Sequence, residues 1–366
     1  RVRKFMKLFK SLLVAPATLG LLAPMSATAN EITVNDFNPA IESTLLAGGE
    51  GLVDQSYDGG FSETTTASFG VDFVVGAVES GTGLGTEKTT FDYQMGIGLE
   101  TSFTGEDSLG ITIDIGGGEA NTSSDTTKQT SVGAIMGLDA TQDVMTVDGV
   151  AYSFPLGGAT VLVGDNTDIS SVFTGACSYS AFTDYMSNCG TGNSVGVSGN
   201  GATAAASYAF DGGFSVAGGL SSSPDGILTK EGTDTFGLEA AYTADSYGVA
   251  VAYVDAQATT YWGINGTYAF DFATISAGVE SEDTESASTK TGFFVGLSFP
   301  EVGAGSVEIG VATNGNFDDS TAETYIYEAS YAYPVNDGMT ITPGVYTKEK
   351  SGDDETGVIV KTSFSF

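Results

Sequence analysis

Thr356-Gly-Val-Ile-Val-Lys-Thr-Ser-Phe-Ser-Phe366 is the stretch of sequence that decides the fold. In an extended chain successive side chains point to opposite faces. One face of this stretch is mainly apolar and ends in two aromatic rings, with Val358, Val360, Phe364 and Phe366. The other face carries Ile359, Lys361, Ser363 and Ser365. This period of two predicts a β-strand with one apolar face.

The same alternation recurs along the chain. Apolar side chains at every second position alternate with small or polar ones in Phe69–Val75, Phe91–Leu99, Leu109–Ile115 and Phe293–Phe299. Further segments repeat the pattern up to the final stretch. Counting them predicts about 16 strands, an even number that places both ends of the sheet on the same side.

The connections between these segments alternate in length. Short turns fall near positions 105, 156, 212, 245, 271, 302 and 336. Longer polar segments fall near 77–89, 117–142, 166–200, 221–233, 281–289, 313–322 and 348–355, and one short link replaces a long one near 256–258. Short turns on one side and long loops on the other predict an all-β fold: a closed antiparallel transmembrane β-barrel with short periplasmic turns and long external loops.

A soluble β-sandwich or a β-solenoid would also show alternating strands. Aromatic residues near strand ends, such as Phe91, Phe103, Tyr268 and Phe299, favour the barrel because they fit a girdle at a membrane surface. The opposite strand faces are dominated by Gly, Ala, Ser, Thr and acids. A fixed-period repeat is not found, which argues against a solenoid. A barrel of this strand number is expected to enclose an aqueous lumen rather than a packed core.

The first 29 residues read as a signal peptide. Five basic residues precede the apolar segment Leu12–Leu22, and Ala27-Thr-Ala29 supplies the small residues of a cleavage site. Met6 is a candidate start, which would leave residues 1–5 upstream of it. The chain is then organised as a signal peptide at 1–29, a short periplasmic lead-in at 30–60 and a barrel at 61–366.

Charge excludes several functions. Residues 30–366 contain all 46 acids and seven lysines, without Arg or His, which gives a formal charge of −39. Nucleic-acid binding needs clustered Lys and Arg and is not expected. Catalytic His dyads and His-ligated metal sites are impossible, and no other nucleophile lies at a useful spacing from a base. The chain is therefore predicted not to be an enzyme, and no cofactor is expected.

The chain contains two cysteines, Cys177 and Cys189. After export into an oxidising compartment, a disulfide within one loop is the economical interpretation, with two free thiols as the alternative. Zinc binding is not predicted, because the further Cys or His ligands of a zinc site are missing.

Several segments resemble a known family. The leader from Met6 to Phe37, together with Phe61–Phe69, Phe103–Leu109 and Tyr152–Gly157, looks like the cyanobacterial iron-uptake porins, which are similar to carbohydrate-selective OprB-type porins. The closing Phe-x-Phe also resembles the terminal signature of bacterial outer-membrane β-barrels. The resemblance covers the leader and the whole barrel, and the leader is its most specific part.

The resemblance implies a location in the outer membrane of a Gram-negative-type cell, with a cyanobacterial source. It implies contact with outer-membrane lipid and lipopolysaccharide, a homotrimer, and a barrel-assembly machinery that recognises Phe366. Family members commonly carry an S-layer-homology domain between leader and barrel. Only about thirty residues occupy that place here, a length too short for a domain core, which leaves peptidoglycan contact doubtful.

If the apolar positions face lipid, their neighbours face the lumen. The pore-lining candidates are Asp72, Asp92, Glu100, Asp114, Glu239, Glu280, Glu308, Glu328 and Lys361. A pore lined with carboxylates concentrates cations and repels anions. This predicts cation preference. Alternatively, most acids only solvate loops or bind divalent ions between lipopolysaccharides or loops.

The connection at 166–200 is the third long one and carries the two cysteines. By analogy with the third external loop of general porins, it is a candidate constriction loop. Its candidate residues are Asp165, Asp168 and Asp184, and a disulfide would restrict its conformations. An ordinary surface loop is the alternative.

These observations predict an outer-membrane porin that passes small hydrophilic solutes or ions, with inorganic cations including iron, or small carbohydrates, as candidate cargo. The alternative is a non-transporting structural or adhesive protein of the outer membrane or surface layer. A surface protein should show neither heat-modifiable gel mobility nor channel conductance, so these two measurements separate the classes.

Overall fold

A computed structural model describes residues 65–80, 88–117, 131–186, 201–229, 232–285, 287–320 and 322–366. The predicted signal peptide at 1–29, its cleavage residues Ala27 and Ala29, and the lead-in at 30–60 lie outside these residues. Cys189 also lies outside them.

Within the described ranges, sixteen β-strands form one sheet in which each strand pairs antiparallel with its neighbours in sequence. The strands are β1 (Thr65–Ser80), β2 (Lys88–Thr101), β3 (Ser108–Gly116), β4 (Thr146–Leu156), β5 (Ala159–Thr167), β6 (Gly201–Ala209), β7 (Phe214–Ser222), β8 (Asp234–Thr243), β9 (Tyr247–Ala256), β10 (Thr259–Ala269), β11 (Thr274–Thr284), β12 (Lys290–Val302), β13 (Gly305–Thr313), β14 (Tyr325–Asn336), β15 (Met339–Lys348) and β16 (Glu355–Ser365).

The described residues also include one short α-helix, α1 (Val132–Ile135), and two 3-10 helices, Ile169–Val172 and Asp184–Met186. No helix in the described ranges is both long enough and apolar enough to cross a membrane.

The sheet closes on itself where β1 meets β16. Val71 lies opposite Phe364 and Val75 opposite Val360 in this register. At the end of the seam, the Phe69 N–H donates to the Phe366 carbonyl at 2.9 Å and the Phe366 N–H donates back at 3.0 Å. Closure leaves the sheet without an unpaired edge, which confirms the predicted closed antiparallel barrel of 16 strands.

The two faces of each strand differ as the period of two predicts. In β16, Val358 is 55% exposed, whereas Ile359 is 0% and Lys361 9% exposed. In β1, Phe73 and Val75 are exposed and Val74 between them is fully buried. The apolar row therefore forms the outer surface of the barrel, and the alternate row points inward.

Short and long connections lie at opposite ends of the barrel, because consecutive strands run antiparallel. Two residues join β4 to β5 and β14 to β15, and the long connections follow β1, β3 and β5. The link from β9 to β10 is the short one on the long-loop side, as the sequence predicts.

Aromatic rings gather on the outer face near the short-turn end. Their contacts include the pairs Phe69–Phe366, Phe103–Tyr152, Tyr208–Phe210, Tyr268–Phe270 and Tyr331–Tyr333. The Phe69 and Phe366 rings stack with their centroids 5.6 Å apart. Such a ring of aromatic side chains matches the girdle that barrels place at a membrane surface.

The interior departs from the expectation of an unpacked lumen. Inward-facing Val74, Val78 and Ile326 form an apolar cluster with Val132 and Ile135 of α1. Tyr179, Phe182 and Met186, from the connection after β5, belong to the same cluster. The alternation did not predict this core because it indicated an inner face dominated by small residues and acids. The described parts of two long connections fold inward and cover these apolar wall residues.

Candidate functional site: the barrel lumen

The described part of the connection after β5 lies against the inner wall of the barrel. Residues 168–186, called here the inserted loop, contact the inner wall through backbone and side-chain groups. The Thr174 and Gly175 N–H groups donate to Glu239 of β8 at 2.5 and 3.2 Å. The Ala176 N–H donates to Asn265 Oδ1 of β10 at 3.1 Å.

The inserted loop continues along the wall toward the seam. The Ser178 N–H donates to Ser276 Oγ of β11 at 3.2 Å, and the Thr183 hydroxyl donates to Glu328 of β14. The Tyr185 hydroxyl donates to Glu355 of β16 at 3.0 Å. The inserted loop therefore spans the inner wall from β8 to β16, about half of the circumference.

Glycines of the inner wall make room for two aromatic rings of the inserted loop. A Cβ at Gly344 would lie 2.3 Å from the Phe182 ring, and a Cβ at Gly296 would lie 2.3 Å from the Tyr179 ring. Tyr179 also packs on Phe294, with ring centroids 4.9 Å apart. Close approach of ring to backbone requires the missing side chain at these positions.

The connection after β3 also enters the barrel. Residues 131–142, called here the helical loop, begin at Ser131, whose hydroxyl caps α1 by accepting from the Ala134 N–H at 3.2 Å. The Gly133 N–H donates to Asp92 Oδ2 of β2 at 2.9 Å. Gln94 of β2 and Asp139 exchange two hydrogen bonds of 2.8 and 3.1 Å.

The two loops meet inside the barrel. A Cβ at Gly137 of the helical loop would lie 3.1 Å from the Asp184 side chain of the inserted loop. Burial raises the pKa of Asp184 above its usual range. Burial, and after it the charge of Asp148, raises the pKa of Asp139.

The predicted pore-lining acids fall into distinct environments. Asp92, Glu239 and Glu328 bind the two loops and are at most 9% exposed. Asp114 and Glu280 are also buried on the inner face. Glu100 is exposed near the short-turn end and accepts from the Ser108 hydroxyl at 2.7 Å.

Three predicted pore-lining residues surround one cavity. Asp72, Glu308 and Lys361 line a space of about 320 Å³ between the wall and the inserted loop. Hydroxyl groups from β13 to β16 and the Phe182 side chain complete its lining. The Ser298 hydroxyl donates to Glu308 Oε2 at 2.5 Å, which fixes that carboxylate from outside the cavity.

Asp165 was predicted to lie in the constriction loop, and this prediction is wrong. It belongs to β5, opposite Val150, and shares the outer face with Val163. Strand β5 extends to Thr167, two residues further than the pattern suggested, so Asp165 does not belong to the inserted loop. Asp168 caps the 3-10 helix Ile169–Val172 by accepting from the Ser170 N–H at 2.6 Å. Asp184 alone lies where the two loops meet.

Cys177 lies in the inserted loop, between Ala176 and Ser178, which both donate to the wall. Because its predicted partner Cys189 lies outside the described residues, the disulfide stays a prediction. Within the described ranges, no group of three or more acids, Cys or His is arranged to hold a metal ion.

Sequence reasoning missed the residues that fix the loops. Tyr179, Phe182 and Tyr185 stand at a spacing of three in an otherwise polar connection. Apolar residues in a loop that is expected to be solvated are a signal of packing. Val132 and Ile135 give the same signal in the helical loop.

The closed barrel and its inward loops define a class of fold, the 16-stranded porin-type barrel. The high-pH structure of Pseudomonas putida OprB resembles this chain with a TM-score of 0.64 at 13% identity, covering 83% of this chain and 95% of that one. Two mutants of the Rh. blastica porin match at 17% identity, with TM-scores of 0.57 and 0.56, over 82% of this chain and 100% of theirs. At these identities the likeness shows the fold. No protein-family model matches the chain, and no curated protein sequence matches it.

Proposed function

We propose that the protein is an outer-membrane porin that allows passive diffusion of small hydrophilic solutes or ions. One observation carries the proposal: a closed barrel has an apolar outer face with an aromatic girdle, and its inner face carries charged residues around a cavity. An apolar outer surface on a closed barrel suits lipid, since no strand edge is left to solvate. The likeness to OprB and the Rh. blastica porin supports this function.

The cargo we propose is inorganic cations including iron, or small carbohydrates. Acids outnumber lysines on the inner wall, and Asp72 and Glu308 line the cavity opposite a single lysine. Carboxylates in a confined space attract cations and repel anions. Cation preference is therefore expected, although it depends on fewer acids than the sequence suggests, because Asp92, Glu239 and Glu328 bind loop groups.

The reversal potential across a planar bilayer in a salt gradient tests cation preference. Measurement near 0.1 M salt keeps the screening length at about 10 Å, so that fixed charges remain effective. Wild-type channels should favour cations. The double variant Asp72→Asn with Glu308→Gln should reduce the preference, since it removes both carboxylates of the cavity.

Asp165→Asn is the matched control, because it removes one carboxylate from the outer face of β5 and leaves the lumen unchanged. It should keep the wild-type reversal potential. Anion preference in the wild type would contradict the cation proposal.

A second function is favoured by the apolar cluster inside the barrel. The helical and inserted loops bury Val74, Val132 and Ile326 completely or nearly so. A barrel packed in this way could serve as a structural or adhesive outer-membrane or surface-layer protein without transport. Absence of single-channel conductance and of liposome swelling in correctly folded protein would establish that alternative.

The remaining features of the proposal concern export and assembly. We propose cleavage after Ala29, a short periplasmic lead-in at 30–60, a Cys177–Cys189 disulfide, a homotrimer in contact with lipid and lipopolysaccharide, and recognition of Phe366 by the barrel-assembly machinery. The small residues Ala27-Thr-Ala29 support the cleavage site, and export into an oxidising compartment supports the disulfide. The resemblance to porins supports the trimer and the role of Phe366. No catalytic role is proposed.

A further inference from the structure

Lys361 has an unusual environment. Its side chain is 9% exposed on the inner face of β16. The ion pairs of the described residues join Lys290 to Glu282 and Lys350 to Glu355, and neither includes Lys361. Buried charges are normally paired and hydrogen-bonded, because an uncompensated charge is costly in a low-dielectric interior. Lys361 lines the lumenal cavity, where a bound molecule could supply a direct partner for its ammonium group.

A carboxylate lies nearby but forms no direct ion pair with this ammonium within the described residues. Asp72 stands opposite Ser363, and Lys361 stands opposite the next inward residue of β1, Val74. Asp72 and Lys361 are thus diagonal neighbours, a relation that places Cα atoms roughly 7–8 Å apart. The Ser363 hydroxyl donates to Asp72 Oδ1, which holds the carboxylate in its own position.

Both charges face the same cavity of about 320 Å³. This volume is near the lower end of pockets that bind small molecules, which is ~300 Å³. Thr340, Thr342 and Ser330 supply hydroxyl groups around it, and Phe182 of the inserted loop supplies an apolar wall. The cavity therefore offers a cation, an anion and uncharged hydrogen-bonding groups to one small solute.

A solute of single charge satisfies only one sign of charge in this cavity. An anion that binds Lys361 is repelled by Asp72 and Glu308, and a cation that is attracted by these two acids leaves Lys361 without a direct partner. A neutral solute offers a direct ion-pair partner to neither Lys361 nor Asp72. A zwitterion satisfies both charges at once, with its carboxylate on Lys361 and its ammonium on Asp72.

We propose that this cavity is a binding site for small zwitterionic solutes of the amino-acid type. The inference rests on the proposed diffusion function and names a further class of cargo for the lumen. Lys361 binds the carboxylate group, Asp72 binds the ammonium group, and the hydroxyl groups of β14 and β15 take the remaining hydrogen bonds.

Calorimetric titration of the folded protein in detergent with glycine tests the site. Glycolamide, a neutral molecule of similar size, serves as the comparison solute. Wild type should bind glycine in a saturable manner and glycolamide far more weakly. Lys361→Met should weaken glycine binding by about tenfold, the effect expected for loss of one hydrogen bond to a charged group.

Lys290→Met is the matched control. It removes the same charge from the partly exposed pair with Glu282, away from the cavity, and should leave glycine binding unchanged. Heat-modifiable gel mobility verifies that each variant is folded. Equal binding of glycine and glycolamide, or undiminished glycine binding by Lys361→Met, would overturn the proposal.

Liposome swelling separates this inference from the proposed function. Swelling in glycine that exceeds swelling in glycolamide, and that loses the excess in Lys361→Met, supports both. Equal swelling in glycine and glycolamide, or a glycine excess that Lys361→Met retains, contradicts the site and leaves the channel intact. Absence of swelling in any solute, together with calorimetric glycine binding that requires Lys361, contradicts the channel and supports the site.

Discussion

At the scale of single residues, the inner carboxylates perform different tasks. Glu239 accepts two backbone N–H groups of the inserted loop, and Asp92 accepts one from α1. Hydrogen bonds from N–H groups to a carboxylate are stronger than those between neutral groups. Asp72 and Glu308, by contrast, face the cavity. Charge on the inner wall is therefore divided between holding loops and lining the open space.

Glu239→Ala tests the holding role. The change leaves the Thr174 and Gly175 N–H groups without their acceptor, at a cost of about 1–3 kcal/mol for each group that stays buried. We expect faster amide hydrogen exchange at residues 173–178. Glu239→Gln keeps one carbonyl acceptor and should show a smaller increase. Unchanged exchange in Glu239→Ala would mean that Asn265 and Ser276 suffice to hold the loop.

At the scale of elements, the inserted loop depends on wall positions without side chains. Gly296 and Gly344 lie beneath Tyr179 and Phe182, and a Cβ at either would overlap a ring. Each ring lies in the inserted loop, and the glycine beneath it lies in a strand more than a hundred residues later in the sequence. Substitution at the wall should therefore move the loop and change the size of the open space.

Gly344→Ala should displace Phe182 from the wall, because the new Cβ would lie 2.3 Å from its ring. We expect a loss of stability within the 1–3 kcal/mol typical of overpacking, and altered single-channel conductance. Gly110→Ala in β3 is the control, since its nearest neighbour would be the Ala151 carbonyl at 3.9 Å. Identical conductance in both variants would argue against Phe182 as a constricting group.

The turn between β2 and β3 contains a carboxylate, Asp107, whose hydrogen bonds make stability depend on pH. The Tyr152 hydroxyl donates to Asp107 at 2.7 Å, and Thr104 and Ser102 add further hydrogen bonds. The Tyr152 hydroxyl is the largest of the influences that hold the pKa of Asp107 well below its usual range, and the Thr104 N–H and hydroxyl and the Ser102 hydroxyl act in the same direction.

A carboxylate with a lowered pKa stabilises the folded state above its ordinary pKa of about 3.9, and this contribution is lost as the pH falls through the lowered value. The urea midpoint of Asp107→Asn should therefore lie below that of wild type near neutral pH. The difference should shrink progressively below about pH 3.9. Glu106→Gln, at an exposed position of the same turn, should follow the wild-type profile. A difference that is independent of pH would contradict the role of the carboxylate charge.

At the scale of the whole molecule, the strand count and closure could be predicted from the sequence, because an outer apolar face imposes a period of two on every strand. The alternation of short turns with long connections then indicates which connections lie at the same end of the barrel. The packing of the lumen could not be predicted in this way. Tyr179 meets Phe294, and Thr183 meets Glu328, across more than a hundred residues, and no local pattern encodes such contacts. Asp165 was misassigned because a strand end is set by pairing with Val150 rather than by residue type.

Closure of the barrel gives a prediction for the last residue. Deleting Phe366 removes both backbone hydrogen bonds to Phe69 and the stacked ring pair. Phe366→Ala removes only the ring, whose pairing is worth roughly 0.5–1.5 kcal/mol beyond its buried area. The heat-modifiable folded fraction should decrease from wild type to Phe366→Ala and further to the deletion. Equal folded fractions would show that the rest of the β1–β16 seam is sufficient.

The seam also sets an order of events in folding. The Ser363 hydroxyl donates a hydrogen bond to Asp72, which lies 291 positions earlier in the chain. Strand β1 can therefore pair with β16 only when the two ends of the sheet come together. Contacts of such separation form slowly, because the entropy of closing the intervening chain must be lost first. Until then β1 presents an open hydrogen-bonding edge to other chains. Closure protects the finished barrel from aggregation, and the form that precedes closure is therefore the one most exposed to it.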